Sequence, residues 1–301
     1  MNPRAGKGRA AAVGERVVAR CRRAGLNVEV VSGASAVAAA QTLRDLVSTP
    51  ACAVVAVGGD GTAHAAANVL CDAREDGLQV PPLAVVPAGT GNDVAACLGF
   101  PADPDAAIAR VLHLLAAARP PRDVDALAVE GGWGRRWVVG VIAAGFDAVV
   151  NERANGWRWP PGRRRYDLAL LAELPGLRTR AYLLELPDQP PQIRSALLLA
   201  VANVSTYGGG VPISPGSDPG DGTAEVVTIG GMRPLELLRF IPRAYRGRHL
   251  SHPAVTVEPF RHVRVSAAGG RGGVVAYGDG ERLGPLPLEV GGVPGALSVL
   301  A

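Results

Sequence analysis

The apolar run Ala51–Val57 ends directly on Gly58-Gly59-Asp60-Gly61-Thr62, and a helix-forming stretch, Ala63–Leu70, follows at once. Such a short continuous apolar segment suits a strand buried on both faces in a parallel sheet. A glycine-rich turn from that strand into a helix lets backbone N–H groups approach an anion, and the helix N-terminus adds the positive end of its dipole. The arrangement recurs one strand later, where Leu83–Val86 runs into Pro87-Ala88-Gly89-Thr90-Gly91-Asn92-Asp93 and a helix to Leu98. Two polar loops at the carboxyl ends of parallel strands share one crevice. Asp60 is a poor direct phosphate partner unless a cation or a donor intervenes, so the first loop points to phosphate with a metal. It is neither G-x4-G-K-[ST] nor G-x-G-x-x-G, and an ordinary βα turn is the plainer reading of the spacing alone.

The surrounding pattern places both loops in an α/β layer. Helices at Ala11–Ala24, Ala34–Val47 and 104–118 alternate with strands at Leu26–Val31, Ala51–Val57 and Leu83–Val86. After Pro120-Pro121 the texture changes. Val124–Val129, Arg136–Ala143, Ala181–Leu186, Ile193–Val204, Ala224–Thr228, Val255–Val257, His262–Ala267, Gly273–Tyr277 and Leu286–Val290 read as strands between Gly/Pro turns, with helices at Tyr166–Glu173 and Pro234–Tyr245. The expected architecture is an α/β domain with a parallel, Rossmann-like sheet over 1–123, then an antiparallel β-sandwich over 124–301.

Composition removes several alternatives. Apolar residues make up 48% of the 301, ample for a packed core, so wholesale disorder is excluded. No window approaches the ~20 apolar residues of a membrane span, and no apolar leader follows Met1-Asn2-Pro3-Arg4. The four cysteines show no CxxC or CxxH spacing and read as buried thiols of a cytoplasmic protein, neither disulfides nor zinc ligands. The net charge of +4 is uneven. Residues 1–150 hold 14 basic and 14 acidic side chains, while 151–180 carry seven arginines against three acids and 233–248 carry five against one. These clusters lie in no recognisable nucleic-acid module, which excludes nucleic acid as the partner. Trp157, Trp159, Arg163, Arg164 and Arg165 join interfacial aromatics to cations, the chemistry of a peripheral contact with the inner face of a membrane, helped by Arg239, Arg243, Arg246 and Arg248. A solvated basic loop with Arg/Trp packing explains the same residues. An exposed sheet edge leaves a homodimer open.

Three further segments carry polar groups. Asp218-Pro219-Gly220-Asp221-Gly222-Thr223-Ala224-Glu225 puts three carboxylates on one turn, suited to Mg²⁺ or to a plain hydrophilic loop. Tyr277-Gly278-Asp279-Gly280-Glu281 offers a general base, or just an Asp-Gly hairpin. Asn2-Pro3-Arg4-Ala5-Gly6-Lys7-Gly8 is by itself a weak signal.

Taken together and in this order, these pieces resemble the diacylglycerol kinase catalytic family, bacterial lipid kinases related to sphingosine and ceramide kinases. Asn203, the Gly208-Gly209-Gly210 run and Arg246-Gly247-Arg248-His249 are similar too. The resemblance implies an ATP-dependent lipid kinase, most simply converting diacylglycerol to phosphatidic acid for phospholipid synthesis, with ATP and Mg²⁺ as cofactors. It implies ATP contacts at Asn2, Pro3, Arg4, Ala5, Gly6, Lys7, Ser32, Gly58, Gly59, Asp60, Gly61, Thr62, His64, Thr90, Asn92 and Asp93. Asp60 and Asp93 would hold the metal through water, Lys7 would be a point-charge partner of the phosphates, and Asp221, Thr223 and Asp218 would form the metal side. Glu281, with Asp279, would form the catalytic pair. The family places an apolar strand before Asn-Pro, so the first strand is expected to be missing here; Ala96 and His64-Ala65 replace residues frequent in the family. A soluble NAD- or sugar-type kinase using a similar Gly-Gly-Asp-Gly loop, and a silent nucleotide or lipid binder, are the alternatives.

Overall fold

The structure, a computed structural model, describes residues 9–33, 35–157, 159–160, 164–187, 189–269 and 273–301. The chain forms two compact units. One runs to Val124 and takes in Gly295–Ala301; the other is Asp125–Pro294. The last residues therefore return to the first unit, where the sequence reading assigned them to the second.

In the first unit, α1 (Arg9–Arg23), α2 (Ala36–Leu46), β1 (Val54–Gly58), α3 (Asp60–Glu75), β2 (Leu83–Pro87), α4 (Asp93–Cys97) and α5 (Pro104–Ala116) follow in order. β1 and β2 pair in parallel from Val54–Leu83 to Gly58–Pro87. Val299 pairs in parallel beside Leu83, and Leu300 N–H donates to the Leu83 carbonyl at 2.8 Å. Val13, Val17 and Cys21 of α1 and Ala107 and Ile108 of α5 pack on Val57, Val86 and Ala88. Ser35 caps α2 through Ala38 N–H, and Asp103 caps α5 through Ala106 N–H, so both helices start where a side-chain acceptor meets orphan donors.

The expected strand Leu26–Val31 is not formed; that segment belongs to no strand. Among the described residues β1 pairs through one edge only, with β2. A cavity of about 1130 Å³ is lined by α1, by the 26–31 segment and by residues 51–57 of and before β1. Residues 26–31 have a strand-like composition, but composition alone does not place a segment in a sheet ladder.

The second unit is an antiparallel sandwich. One sheet has the order β10 (Val255–Phe260), β9 (Ala224–Ile229), β8 (Leu198–Ala202), β5 (Val141–Gly145), β12 (Val275–Gly278), β13 (Glu281–Pro285). In the other, β11 (His262–Ala267) lies between β6 (Arg180–Glu185) and residues 288–291 of β14 (Leu288–Val299), and β7 (Gln192–Ala196) pairs with β6. β3 (Arg122–Gly131) and β4 (Gly134–Val138) form a hairpin. Leu127, Ile142, Tyr182, Leu184, Val201, Val226, Val263 and Val290 meet in one buried core. Exposure alternates along β7 and the first part of β11, the mark of a sheet face open to water. Two long expected strands are each broken: Arg136–Ala143 at Val139-Gly140, and Ile193–Val204 at Leu197. Among the described residues the α-helices α6 (Phe146–Gly156), α7 (Arg164–Glu173) and α8 (Pro234–Tyr245), with a short 3₁₀ turn at Leu174–Gly176, complete the unit. α6 went unrecognised in the sequence because its apolar spacing is irregular. Among the described residues no helix is long and apolar enough to cross a membrane.

Candidate active site

The first unit carries the glycine loops. Asp60, Gly61 and Thr62 lie in the first turn of α3 and Gly58 ends β1, so Gly59 alone, the N-cap, lies between strand and helix. The loops after β1 and β2 meet backbone to backbone. Ala88 N–H donates to the Gly58 carbonyl at 2.7 Å. A Cβ at Gly59 would lie 3.1 Å from the Gly89 Cα, and one at Gly89 would collide with the Gly59 Cα. The glycines are therefore needed first for loop-to-loop packing.

Asp60 gives a specific answer to the question its charge raised. Its Oδ2 accepts Asn92 N–H at 2.8 Å and its Oδ1 accepts Val94 N–H at 3.0 Å. The intervening donors are thus backbone amides of the second loop and α4, and the carboxylate ties loop to loop. Asn92 adopts a left-handed conformation, φ 63°, and its Oδ1 accepts Gly89 N–H at 2.9 Å. Thr90, Gly91 and Ala96 are exposed beside this bracket. Thr62 and His64 are buried, and the His64 carbonyl accepts from Asn68 Nδ2. Ser32 is exposed, just ahead of α2. Asn2 to Lys7 lie outside the described residues.

The second unit carries the carboxylates. Asp279-Gly280 is a two-residue turn between β12 and β13 with φ of 52° and 80°, both positive as a tight hairpin requires. Asp279 is buried. Its Oδ2 accepts Val139 N–H at 3.0 Å and its Oδ1 accepts Gly140 N–H at 2.8 Å. From the other side, Asn203 N–H donates to the Gly140 carbonyl at 3.0 Å and Asn203 Nδ2 to the Val139 carbonyl at 2.8 Å. All four polar groups of that buried dipeptide are satisfied, as burial demands. Asp279 is thereby fixed as a clamp. Glu281, two residues on, is exposed at the start of β13, and its carboxylate makes no hydrogen bond or ion pair among the described residues.

Asn203 Nδ2 also donates to the Asp125 carbonyl at 2.9 Å, and the buried Asp125 carboxylate accepts Gly222 N–H at 2.7 Å. This pins the Asp218–Thr223 turn. Asp218 Oδ1 accepts Gly220 N–H, while Asp221 Oδ1 accepts both the amide and the hydroxyl of Thr223. Asp221 remains exposed. Glu225 bonds to Ser217 Oγ, and burial raises its pKa above the usual carboxylate range. No group of three His, Cys, Asp or Glu gathers into a metal cage among the described residues. Asp125 was missed in the sequence; its one signal was a charge set among apolar residues on a strand.

Elsewhere in this unit, Trp157 packs into the α6–α7 cluster with Arg153 over its ring at 5.9 Å, and its carbonyl accepts from Arg165. Trp159 is 76% exposed. Arg163 lies outside the described residues.

Comparison with known proteins gives this arrangement its class. Residues 1–120 match the diacylglycerol kinase catalytic domain, and residues 140–301 match the YegS C-terminal NAD kinase beta sandwich-like domain. A crystal structure of a diacylglycerol kinase from Bacillus anthracis shares the fold with a TM-score of 0.71 at 17% identity, covering 99% of this chain and 94% of that one. An NAD kinase from Archaeoglobus fulgidus, in complex with ATP, gives 0.53 at 13% identity, covering 95% and 87%. The fold is the one that diacylglycerol kinases and NAD kinases share. The diacylglycerol kinase of Mycobacterium tuberculosis is 34% identical over 299 residues, 99% of this chain and 93% of its own length. A YegS-like lipid kinase of Stenotrophomonas maltophilia is 29% identical over 177 residues, 58% and 55% of the two chains. The chain belongs to the diacylglycerol kinase family of lipid kinases.

Proposed function

We propose that the protein transfers the γ-phosphoryl group of ATP to the free hydroxyl of diacylglycerol, giving phosphatidic acid. The observation that carries the reading is Glu281: an exposed carboxylate without a partner among the described residues, on a turn that Asp279 locks to Val139 and Gly140. A general base needs a free oxygen in a fixed place, and a clamped hairpin supplies both. Glu281 takes the hydroxyl proton as the lipid oxygen bonds to the γ-phosphorus and ADP leaves. Asp279 is the positioning residue of this pair. The Gly58-Gly59 turn, the α3 N-terminus and Thr90 line the phosphates, and Asn92 and Asp60 hold the two loops in register.

The donor set fits Mg²⁺ that arrives with its nucleotide. Mg²⁺ typically takes one or two carboxylates and fills the rest of its shell with phosphate and water. Thr223 orients one oxygen of Asp221, and the other has no hydrogen bond among the described residues. The ion would neutralise charge on the transferring phosphoryl group.

The test is label transfer from radioactive ATP, with Mg²⁺, to diacylglycerol, sphingosine, phosphatidylglycerol and NAD in parallel. Label should enter diacylglycerol, and Glu281→Gln should lower kcat by about 10²–10⁴ while leaving the Kd for ATP unchanged. Label in NAD alone, or full activity in Glu281→Gln, would reject the assignment.

A further inference from the structure

The α8 helix has two faces that do different work. Leu237 and Phe240 are buried, the Phe240 ring edge-on to His249 and His252. Leu235, Leu238 and Tyr245 are 60%, 38% and 40% exposed, and Pro242 is exposed with them. These four recur at steps of three and four, so they form one apolar stripe along the solvent side. Arg239, Arg243 and Arg246 are also exposed and, at steps of four and three, form a second row beside it. None of the three makes an ion pair among the described residues. The one acid of the helix, Glu236, is turned to His252 and to the Arg233 amide.

A helix of this kind has already buried its core face, so the exposed leucines are not explained by packing. Apolar side chains ranked beside arginines match the boundary of a lipid leaflet: the stripe enters the acyl region and the guanidinium groups stay with anionic headgroups. The charge selects an anionic leaflet over a zwitterionic one.

We propose that the Leu235–Leu238–Tyr245 stripe of α8, with Arg239, Arg243 and Arg246, is a docking surface for an anionic membrane. The proposal rests on the lipid-kinase reading, since it brings the chain to the surface where its acceptor resides. Of the segment that the sequence reading expected at the membrane, Trp157 is held in the α6–α7 cluster while Trp159 is 76% exposed.

Flotation of the full chain with phosphatidylglycerol-containing vesicles, and with pure phosphatidylcholine vesicles, tests it. The chain should float with the first and much less with the second. Leu235→Ser/Leu238→Ser should abolish flotation on both. Arg239→Gln/Arg243→Gln/Arg246→Gln should cut binding to anionic vesicles by on the order of a hundredfold, about fivefold per arginine. Both variants should melt like the parent and keep its activity on a dispersed short-chain diacylglycerol. Flotation unchanged in either variant overturns the proposal, as does flotation lost only in Trp159→Ala. A shift of the parent, but not of the leucine variant, to a dimer in sedimentation without vesicles would assign the stripe to a second copy and overturn it too. Flotation without label transfer to any lipid would refute the kinase reading and leave the surface standing.

Discussion

Gly89→Ala tests whether the two glycine loops work as one piece. The new Cβ would sit about 1 Å inside ordinary contact with the Gly59 Cα, and 3.1 Å from the Gly59 amide nitrogen. The obstacle is backbone at the end of β1, so no side chain can swing aside. Relief requires the loops to part, which stretches the 2.7 Å bond from Ala88 N–H to the Gly58 carbonyl and loosens the Asn92 bracket. Overpacking of this kind costs about 1–3 kcal/mol. That lowers the melting temperature of the first unit by roughly 2–12 °C. A displacement near 1 Å at the phosphate loops costs more in function, on the order of a hundredfold in kcat/KM. Gly59→Ala meets the Gly89 Cα at 3.1 Å, a contact that a few tenths of an ångström relieve, so it should be the milder of the two. Differential scanning fluorimetry and ATP titration read both effects. Gly89→Ala with parental ATP affinity, or Gly59→Ala the more damaging, would refute the loop-packing account.

Asp60→Asn replaces one accepting oxygen with a donor, strands the amide of Asn92 or Val94, and should cost about 1–3 kcal/mol, read as a lower melting temperature with weaker ATP binding. Asp279→Ala should destabilise the second unit by several kcal/mol, since two buried amides lose their acceptor, while Glu281→Gln should leave the melt unchanged; equal melts for the two would remove the clamp. Burial pushes the Asp147 carboxyl up to about 6, against hydrogen bonds from Tyr207 and Asn151. A raised folded-state pKa stabilises below the unfolded value and loses that contribution as pH climbs through about 6. Asp147→Asn should therefore gain in melting temperature relative to the parent between pH 4.5 and 7.5, and a constant difference would deny the shift. Among the described residues β1 pairs through one edge only: an added apolar five-residue strand should raise the first melting transition if the second edge accepts it, and an unchanged melt would show that it does not pair.

What the sequence disclosed and what it hid separate along a physical line. Apolar period and glycine punctuation are local, so both strand-to-helix junctions, the change of texture after Pro120-Pro121 and the Asp279-Gly280 hairpin could be read directly. Pairing is not local. Leu26–Val31 has the composition of a strand but takes no place in a sheet, because a ladder needs a neighbour that composition cannot supply. Carboxylate roles hide for the same reason. Asp60 and Asp279 look like a metal ligand and a base beside glycine, yet each accepts backbone amides from a distant segment, 32 residues away for Asn92 and Asp60 and 139 for Gly140 and Asp279, and Asp125 does the same for Gly222. Burial decides between these roles. A carboxylate that is enclosed must spend its lone pairs on internal donors, and one that is exposed keeps them for substrate or metal. By that criterion the exposed Glu281, Asp218 and Asp221 stay open to the proposed chemistry, while Asp279 and Asp125 are spent on holding their turns in place.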